Sequence, residues 1–450
     1  MNTNELTTGS ITKKLALLAL PIMGTSFLQM AYNLIDMIWI GKLGADHVAA
    51  IGTAGYFMWF SFALITLTRV GAEVKVAQAL GGAKQEAANG YASTSMIFAL
   101  IVGLVYGLVL IVSRQHLIGF FRLGDSLVEG MAMSYLKIVA FSMPFSLLNQ
   151  VLSAVYNASG VSKLPFRANG IGLMLNMILD PLLIFGAGLG VIGAAVATTL
   201  SQIFVSLLLV RMILGSSKPY GGFHLTSNVH WGQLKEMLKI SLPAALQNGL
   251  FTIISMFVAR IVAGFGTTAI AVQKVGTQIE AISYMTATGF GVALSAMVGQ
   301  NMGAGKIDRV KKSFRSAILT MALFGSITSV LLFFGAEYLF GIFIDEEPAL
   351  SMGVVYLRII SLSQVFMCVE ITMAGGFNGL GKSVPPAVVG VLFNSLRIPA
   401  AYALSTYTVL QLNGIWWAIN VSTFFKGSVL FVILIIILKQ LGKQKNQILE

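Results

Sequence analysis

The sequence predicts an all-α polytopic membrane protein, with about twelve transmembrane helices in two six-helix lobes related by a pseudo-two-fold axis along the membrane normal. Three observations lead there. The 450 residues are 56% hydrophobic and only 10% charged, with a mean hydropathy of +0.84, whereas a soluble domain carries about 25% charged residues. Apolar runs of about 20 residues or more recur from Leu15 to Leu438, each long enough to cross roughly 30 Å of hydrocarbon as a helix. The chain also matches itself: Pro21 with Pro243, Gly44 with Gly266, Gln78 with Gln300 and Lys84 with Lys306 are each 222 residues apart.

The spans centre near Met30, Phe60, Ile101, Phe141, Met177 and Phe204, then near Ile253, Ser283, Leu323, Ser363, Leu392 and Thr423. The alternation of apolar and polar residues that marks a barrel strand is absent. The first run outlasts a signal h-region and contains Asp36 without a small-residue cleavage site, so the first helix is expected to be retained. Within the repeat, VAQALGGAK (Val76 to Lys84) parallels VGQNMGAGK (Val298 to Lys306), and YNASGVSKLP (Tyr156 to Pro165) parallels FNGLGKSVPP (Phe377 to Pro386). Six helices per copy give both copies the same orientation, hence the expected axis. Residues 1–214 are assigned to an N-terminal lobe, 215–234 to a basic linker containing Pro, Gly and Ser, and 235–450 to a C-terminal lobe. Duplicated helical lobes are a known way to build alternating access around a midplane cavity.

The net charge of +12 does not point to nucleic acid, because the basic residues are sorted by side. With a cytoplasmic N-terminus, Lys13, Lys14, Lys84, Lys163, Arg167, Lys306, Arg309, Lys311, Lys312 and Lys439 share one face, and only Lys42, Arg114 and Arg122 fall in loops of the other. That is the positive-inside bias, with both termini cytoplasmic in a cell (inner) membrane. Cys368 is the only cysteine, so an intrachain disulfide and thiol metal clusters are excluded.

One carboxylate in AYNLIDMIWI (Ala31 to Ile40) demands a reason. Thr25, Gln29, Tyr32, Asn33 and Asp36 fall on one stripe of the first helix at about 100° per residue. Asn169, Leu173, Asn176 and Asp180 repeat the pattern on the fifth span, and Ser142, Ser146, Asn149 and Ser153 on the fourth. Lipid penalises such faces, whereas a shared water-accessible chamber accommodates them. An Asp at a span centre costs roughly 2.5–3.5 kcal/mol on insertion scales. Burial and mutual repulsion would favour holding a proton on at least one of Asp36 and Asp180, making the pair proton carriers; a merely structural, hydrogen-bonded Asp is the competing reading.

The repeat supplies a control. Asp36 aligns with Val258, and Asp180-Pro181 aligns with Ile398-Pro399, so the second half lacks both acids and their task is expected once per molecule. Pro21, before Asp36, lacks the N–H of a helical residue and is a candidate hinge. Twenty-one Met and 29 Phe could provide adaptable apolar walls. With the acids, such walls suit amphipathic organic cations. The candidate cargo contacts are Tyr32, Asn33, Asp36, Met37, Phe57, Phe60, Asn149, Leu173, Asn176 and Asp180.

These features together resemble the multidrug and toxic compound extrusion (MATE) family, in particular its bacterial DinF-like branch. The resemblance covers nearly the whole chain and rests on the LPIMG opening, the Asp36 helix, the paired VAQALGG and VGQNMGAG loops, and the Asn176/Asp180-Pro181 segment, in that order. It implies cation-coupled drug export, with Asp36 matching the family's first-helix acid and Asn176 and Asp180 matching polar residues of the N-lobe cavity. The similar sodium-coupled NorM-like branch uses acids on the seventh and tenth spans. Here the seventh lacks one, leaving Glu370 as the sodium candidate, with Glu280 embedded on the eighth. Either glutamate could instead pair with Lys274, Arg397 or Lys426.

A sodium-coupled MATE exporter and a lipid-linked oligosaccharide flippase of the same superfamily remain the alternatives. Anionic cargo would favour a basic lining, whereas the N-lobe stripe is acidic. No HExxH, Walker A loop or Ser-His-Asp set supports an enzyme. No cofactor or resident metal is expected, the proton gradient being the energy source. The expected partners are organic cations, protons and membrane lipids, not nucleic acid, and a monomer is expected.

Overall fold

The computed structural model of the chain describes residues 6–121, 123–215, 230–344 and 346–449. The described backbone is helical, without a strand. In chain order the helices are α1 (Ile11–Gly41), α2 (Ala45–Gly81), α3 (Gln85–Gly119), α4 (Ser126–Ala140), α5 (Met143–Ala158), α6 (Lys163–Pro181), α7 (Gly190–Leu214) and α8 (Trp231–Ala263). They continue with α9 (Thr267–Gly303), α10 (Ile307–Phe334), the short α11 (Ala336–Gly341), α12 (Glu347–Ser361), α13 (Gln364–Gly379), α14 (Val384–Thr406) and α15 (Leu412–Leu449). Among the described residues ten helices are long and apolar enough to cross a membrane, and the pairs α4/α5 and α12/α13, bent by 46° and 53°, bring the spans to as many as twelve. Leu104, Leu108 and Val112 lie exposed along one face of α3, at the spacing of a lipid-facing helix stripe.

The two bends sit at matching points of the repeat. After α4 the Ser142 hydroxyl donates to the Val139 carbonyl at 2.7 Å, and after α12 the Ser363 hydroxyl donates to Ile360 at 3.2 Å. Pro144 stands in the first turn of α5, where a missing N–H is harmless, but α13 has no such proline. What both breaks share is a close glycine. A Cβ on Gly103 would lie 2.5 Å from the Cα of Pro144, and one on Gly325 would lie 2.8 Å from the Cα of Val365. A proline is thus not common to the two bends, whereas a close interhelix approach at a glycine is.

The repeat is also legible in backbone conformation. Gly44 (φ 115°) and Gly266 (φ 100°) turn the chain into α2 and α9, with φ values that a side chain rarely adopts. Thr199 on α7 donates to Ile138 O at 3.3 Å, and Asn420 on α15 donates to Ile359 O. Both ends of this second tie lie 221 residues after those of the first.

The chain divides into two compact units, whose described parts are residues 24–241 for the first, and residues 6–23 with 242–449 for the second. The crossings fall inside α1 and α8, within three residues of Pro21 and Pro243. In the first unit the core joins α2, α3, α5 and α7 through Val76, Met96, Leu152, Tyr156 and Leu209. The opening turns of α8 add Leu234 and Met237 beside Ala72. There Gly71 N–H donates to Ser241 Oγ at 2.7 Å, and Lys75 meets Glu236 at 2.6 Å.

In the second unit Leu15, Leu18 and Ile22 of α1 pack into a core with Phe290, Met297, Phe314, Phe377 and Leu430. The Arg309 guanidinium donates to the carbonyls of Leu6, Thr8 and Gly9 at 3.0–3.2 Å. Of the expected linker, residues 216–229 lie outside the described residues.

Candidate functional site

The acids identified from sequence meet in the first unit. Tyr32 and Asp36 lie one turn apart on α1, and Asn176 and Asp180 one turn apart on α6. Asp180 and Asn176 are buried, Asp36 half-buried. Asp36 and Asp180 lie within electrostatic reach of each other and of Tyr32 and Tyr135. Pro181, directly after Asp180, has no N–H for the helix ladder, and a π-helical turn, Leu182–Gly186, follows it.

The available hydrogen bonds do not satisfy the carboxylates. Asn176 Nδ2 donates to Asp180 Oδ1 at 3.3 Å. Asp180 Oδ2 and Asp36 Oδ1 are buried with no hydrogen-bond partner, and neither acid forms an ion pair among the described residues. The Tyr32 hydroxyl is engaged with Thr198 Oγ1 at 2.7 Å. A buried and a half-buried acid, each with an oxygen shut off from water and without a cation among the described residues, are costly. Binding protons, or an organic cation, is the chemistry that would remove that cost.

The other sequence candidates are placed differently. Asn149 is buried between α5 and α7, where its amide donates to Gln202 O (3.0 Å) and Oε1 (2.9 Å) and its oxygen accepts from Ser206 Oγ at 2.6 Å. Those bonds account for its polar groups without the acids. Phe57 is half-buried, its carbonyl accepts from the Tyr106 hydroxyl at 2.6 Å, and its ring meets Phe121 edge-on at 6.0 Å. Met37 and Phe60 are exposed and Leu173 half-buried. The side chain of Asn33 lies outside the described residues.

Sequence reading missed Tyr135 and Thr198. Tyr135 had a signal: YLKI (Tyr135 to Ile138) returns as YLRI (Tyr356 to Ile359), and Tyr356 likewise faces an acid, Glu280. The two embedded glutamates of the second unit, unlike the acids of the first, each have a cation nearby. Glu370 pairs with Lys426 at 3.2 Å, both nearly buried. Glu280 Oε1 accepts from Gln364 at 3.1 Å and lies within electrostatic reach of Arg397, whose guanidinium donates to Ser422 (2.6 Å) and Thr423 (3.0 Å). Glu370 stands 221 residues after Asn149. The same repeat position thus carries an amide bonded to α7 in one unit and a carboxylate paired to α15 in the other.

A duplicated set of apolar spans, with an acid pair in the first copy that has no counter-charge among the described residues, defines a polytopic membrane protein built from two copies of one helical pattern. The MatE family pattern matches residues 21–182 and again 243–403, and the chain belongs to that family. Among relatives, it is 29% identical over 427 residues to a Thermotoga maritima protein named "Probable multidrug resistance protein NorM", covering 93% of this chain and 91% of that one. It is 23% identical over 450 residues to "Multidrug export protein MepA" of Staphylococcus saprophyticus, covering 98% and 97%. A solved structure described as the outward-facing conformation of a multidrug resistance MATE family transporter of the MOP superfamily shares its fold, with a TM-score of 0.91 at 22% identity over 98% of this chain and 99% of that one.

Proposed function

We propose that this protein exports amphipathic organic cations across a bacterial cell membrane in exchange for protons, by alternating access, with Asp36 and Asp180 as the coupling carboxylates. The observation that carries the reading is the pair of buried oxygens, Asp36 Oδ1 and Asp180 Oδ2, that lack a donor while their acids lack a counter-charge among the described residues. The relatives named for multidrug resistance and multidrug export support the cargo class. Proton and cargo compete for the same acids, so arrival of one releases the other. Tyr135 and the Tyr32–Thr198 pair hold the polar wall in place, and Pro21 lets α1 bend as access alternates. The basic loops set both termini in the cytoplasm.

The energetics are sufficient. One proton exchanged for one monovalent cation moves no net charge, so only the pH difference drives it, at about 1.36 kcal/mol per unit, enough for a roughly tenfold cation gradient. If both acids deliver a proton, the membrane potential adds about 2.3 kcal/mol per 100 mV.

The test is purified protein in liposomes with a fluorescent organic cation. Imposing a pH gradient should move the cation against the proton flow, and reversing the gradient should reverse the movement. A sodium gradient alone should move none. Asp36→Asn and Asp180→Asn should each lose at least tenfold of the proton-driven rate while melting normally. Undiminished export by both variants would reject the assignment, and sodium-driven export by the wild type would transfer the coupling to a different cation.

A further inference from the structure

At the counterpart of the acid site the second unit has a groove of opposite character. It lies open between α8 and α14, has a volume of about 720 Å³ and is lined by residues including Phe257, Arg260, Ile398, Pro399, Tyr402 and Ser405. Ile398-Pro399 is the segment that aligns with Asp180-Pro181, and α8 and α14 are the counterparts of α1 and α6. Where the first unit has Asp36, the second has Val258, packed into the hydrophobic core beside this groove. Both acids are therefore replaced by hydrocarbon, and the one ionised group lining the pocket has the opposite sign.

Arg260 is exposed in the last turn of α8. No acidic side chain lines the pocket, and among the described residues Arg260 forms no ion pair. Helix carbonyls near a C-terminus attract a cation, but they leave most of the five guanidinium N–H donors available. An arginine near a helix end ordinarily reaches for the membrane surface; here it borders a groove with aromatic walls instead of standing on a bare helix face. The groove has room for one amphipathic chain, and the exposed aromatic faces of Phe257 and Tyr402 offer apolar area beside the charge.

We infer that the pocket between α8 and α14 binds an amphipathic anion, with the carboxylate or phosphate held by Arg260 and the apolar body against Phe257 and Tyr402. This site is independent of the proton and cation chemistry at Asp36 and Asp180. The same chemistry describes an anionic lipid headgroup and a free amphipathic acid.

The test uses the full-length protein in micelles, titrated by fluorescence with dansyl-undecanoate and, as control, its uncharged methyl ester. The carboxylate should bind more tightly than the ester. Arg260→Gln should weaken carboxylate binding about 10- to 100-fold, the loss of one charge-assisted contact, whereas Arg260→Lys should retain most of it. Ile398→Trp, which fills the pocket without touching the charge, should also abolish binding and provides a readout if the Arg260 variants melt early. Equal affinity of Arg260→Gln and wild type, or of ester and acid, would overturn the inference and leave Arg260 a residue reaching for the membrane surface. Nanodiscs with and without phosphatidylglycerol separate the sources. Displacement of the probe by that lipid assigns the site to a headgroup, and retention assigns it to a free amphipathic acid. Asp36→Asn should bind the probe as wild type does, so failure of the coupling reading and failure of this one are distinguishable.

Discussion

The Glu370–Lys426 pair allows a quantitative test of whether the second unit stores structure or holds a coupling ion. The two groups lie 3.2 Å apart with side chains only 4% and 11% exposed. Removing one partner of such a pair leaves an uncompensated buried charge and costs about 3–5 kcal/mol, whereas replacing both with apolar or neutral groups is often neutral or stabilising. Arg397 also lies within electrostatic reach of Glu370, which places Lys426→Met at the lower end of that range. Glu370→Gln strands Lys426 beside a second cation and belongs at the upper end. At about 2–4 °C per kcal/mol for a unit of this size, each single substitution should lower the apparent melting midpoint by roughly 6–20 °C, and the double variant should return to within a few degrees of wild type. The assay is thermal unfolding in detergent followed by loss of monodisperse protein, with and without sodium. Single variants that melt like wild type, or a double variant as unstable as the sum of the singles, would refute the ion-pair reasoning. Sodium-dependent stabilisation of the wild type that disappears in Glu370→Gln would show that Glu370 holds a cation other than Lys426.

Three further outcomes follow from individual contacts. A Cβ at Gly375 would lie 2.2 Å from the Gly291 carbonyl oxygen, so Gly375→Ala should force α9 and α13 apart and cost about 1–3 kcal/mol; Gly249→Ala, with nothing within 4 Å of its Cβ, is the neutral control in the same melt. Asn149→Leu strands Gln202 and Ser206 and should cost about 1–3 kcal/mol, with the pH dependence of export unchanged in liposomes. Lys75→Met breaks a contact to Glu236 whose side chains are 22% and 48% exposed, so the loss should stay below about 1 kcal/mol and vanish at high salt.

The spans, the duplication and the polar stripes were all legible in the order of the residues alone. In hydrocarbon each backbone group must be satisfied within its own helix, so hydropathy and helical period are local properties. Asp36 and Asp180 stood out for the same cause, because a carboxylate in an apolar run is conspicuous without knowledge of its neighbours. A stripe tells which face of a helix is polar but not what that face meets, and the answer came from the packed helices. Asn149 shares its spacing with the acid stripes yet is consumed by Gln202 and Ser206, and Tyr135, apolar enough to pass as wall, joins the acids. Close backbone approaches at Gly103 and Gly325 lie at the bends of the fourth and tenth spans. The crossings of the chain inside α1 and α8, and the choice of Lys426 as the partner of Glu370, likewise depend on which helices pack together. Interhelix packing is a property of surfaces distant in the chain, which no local pattern encodes.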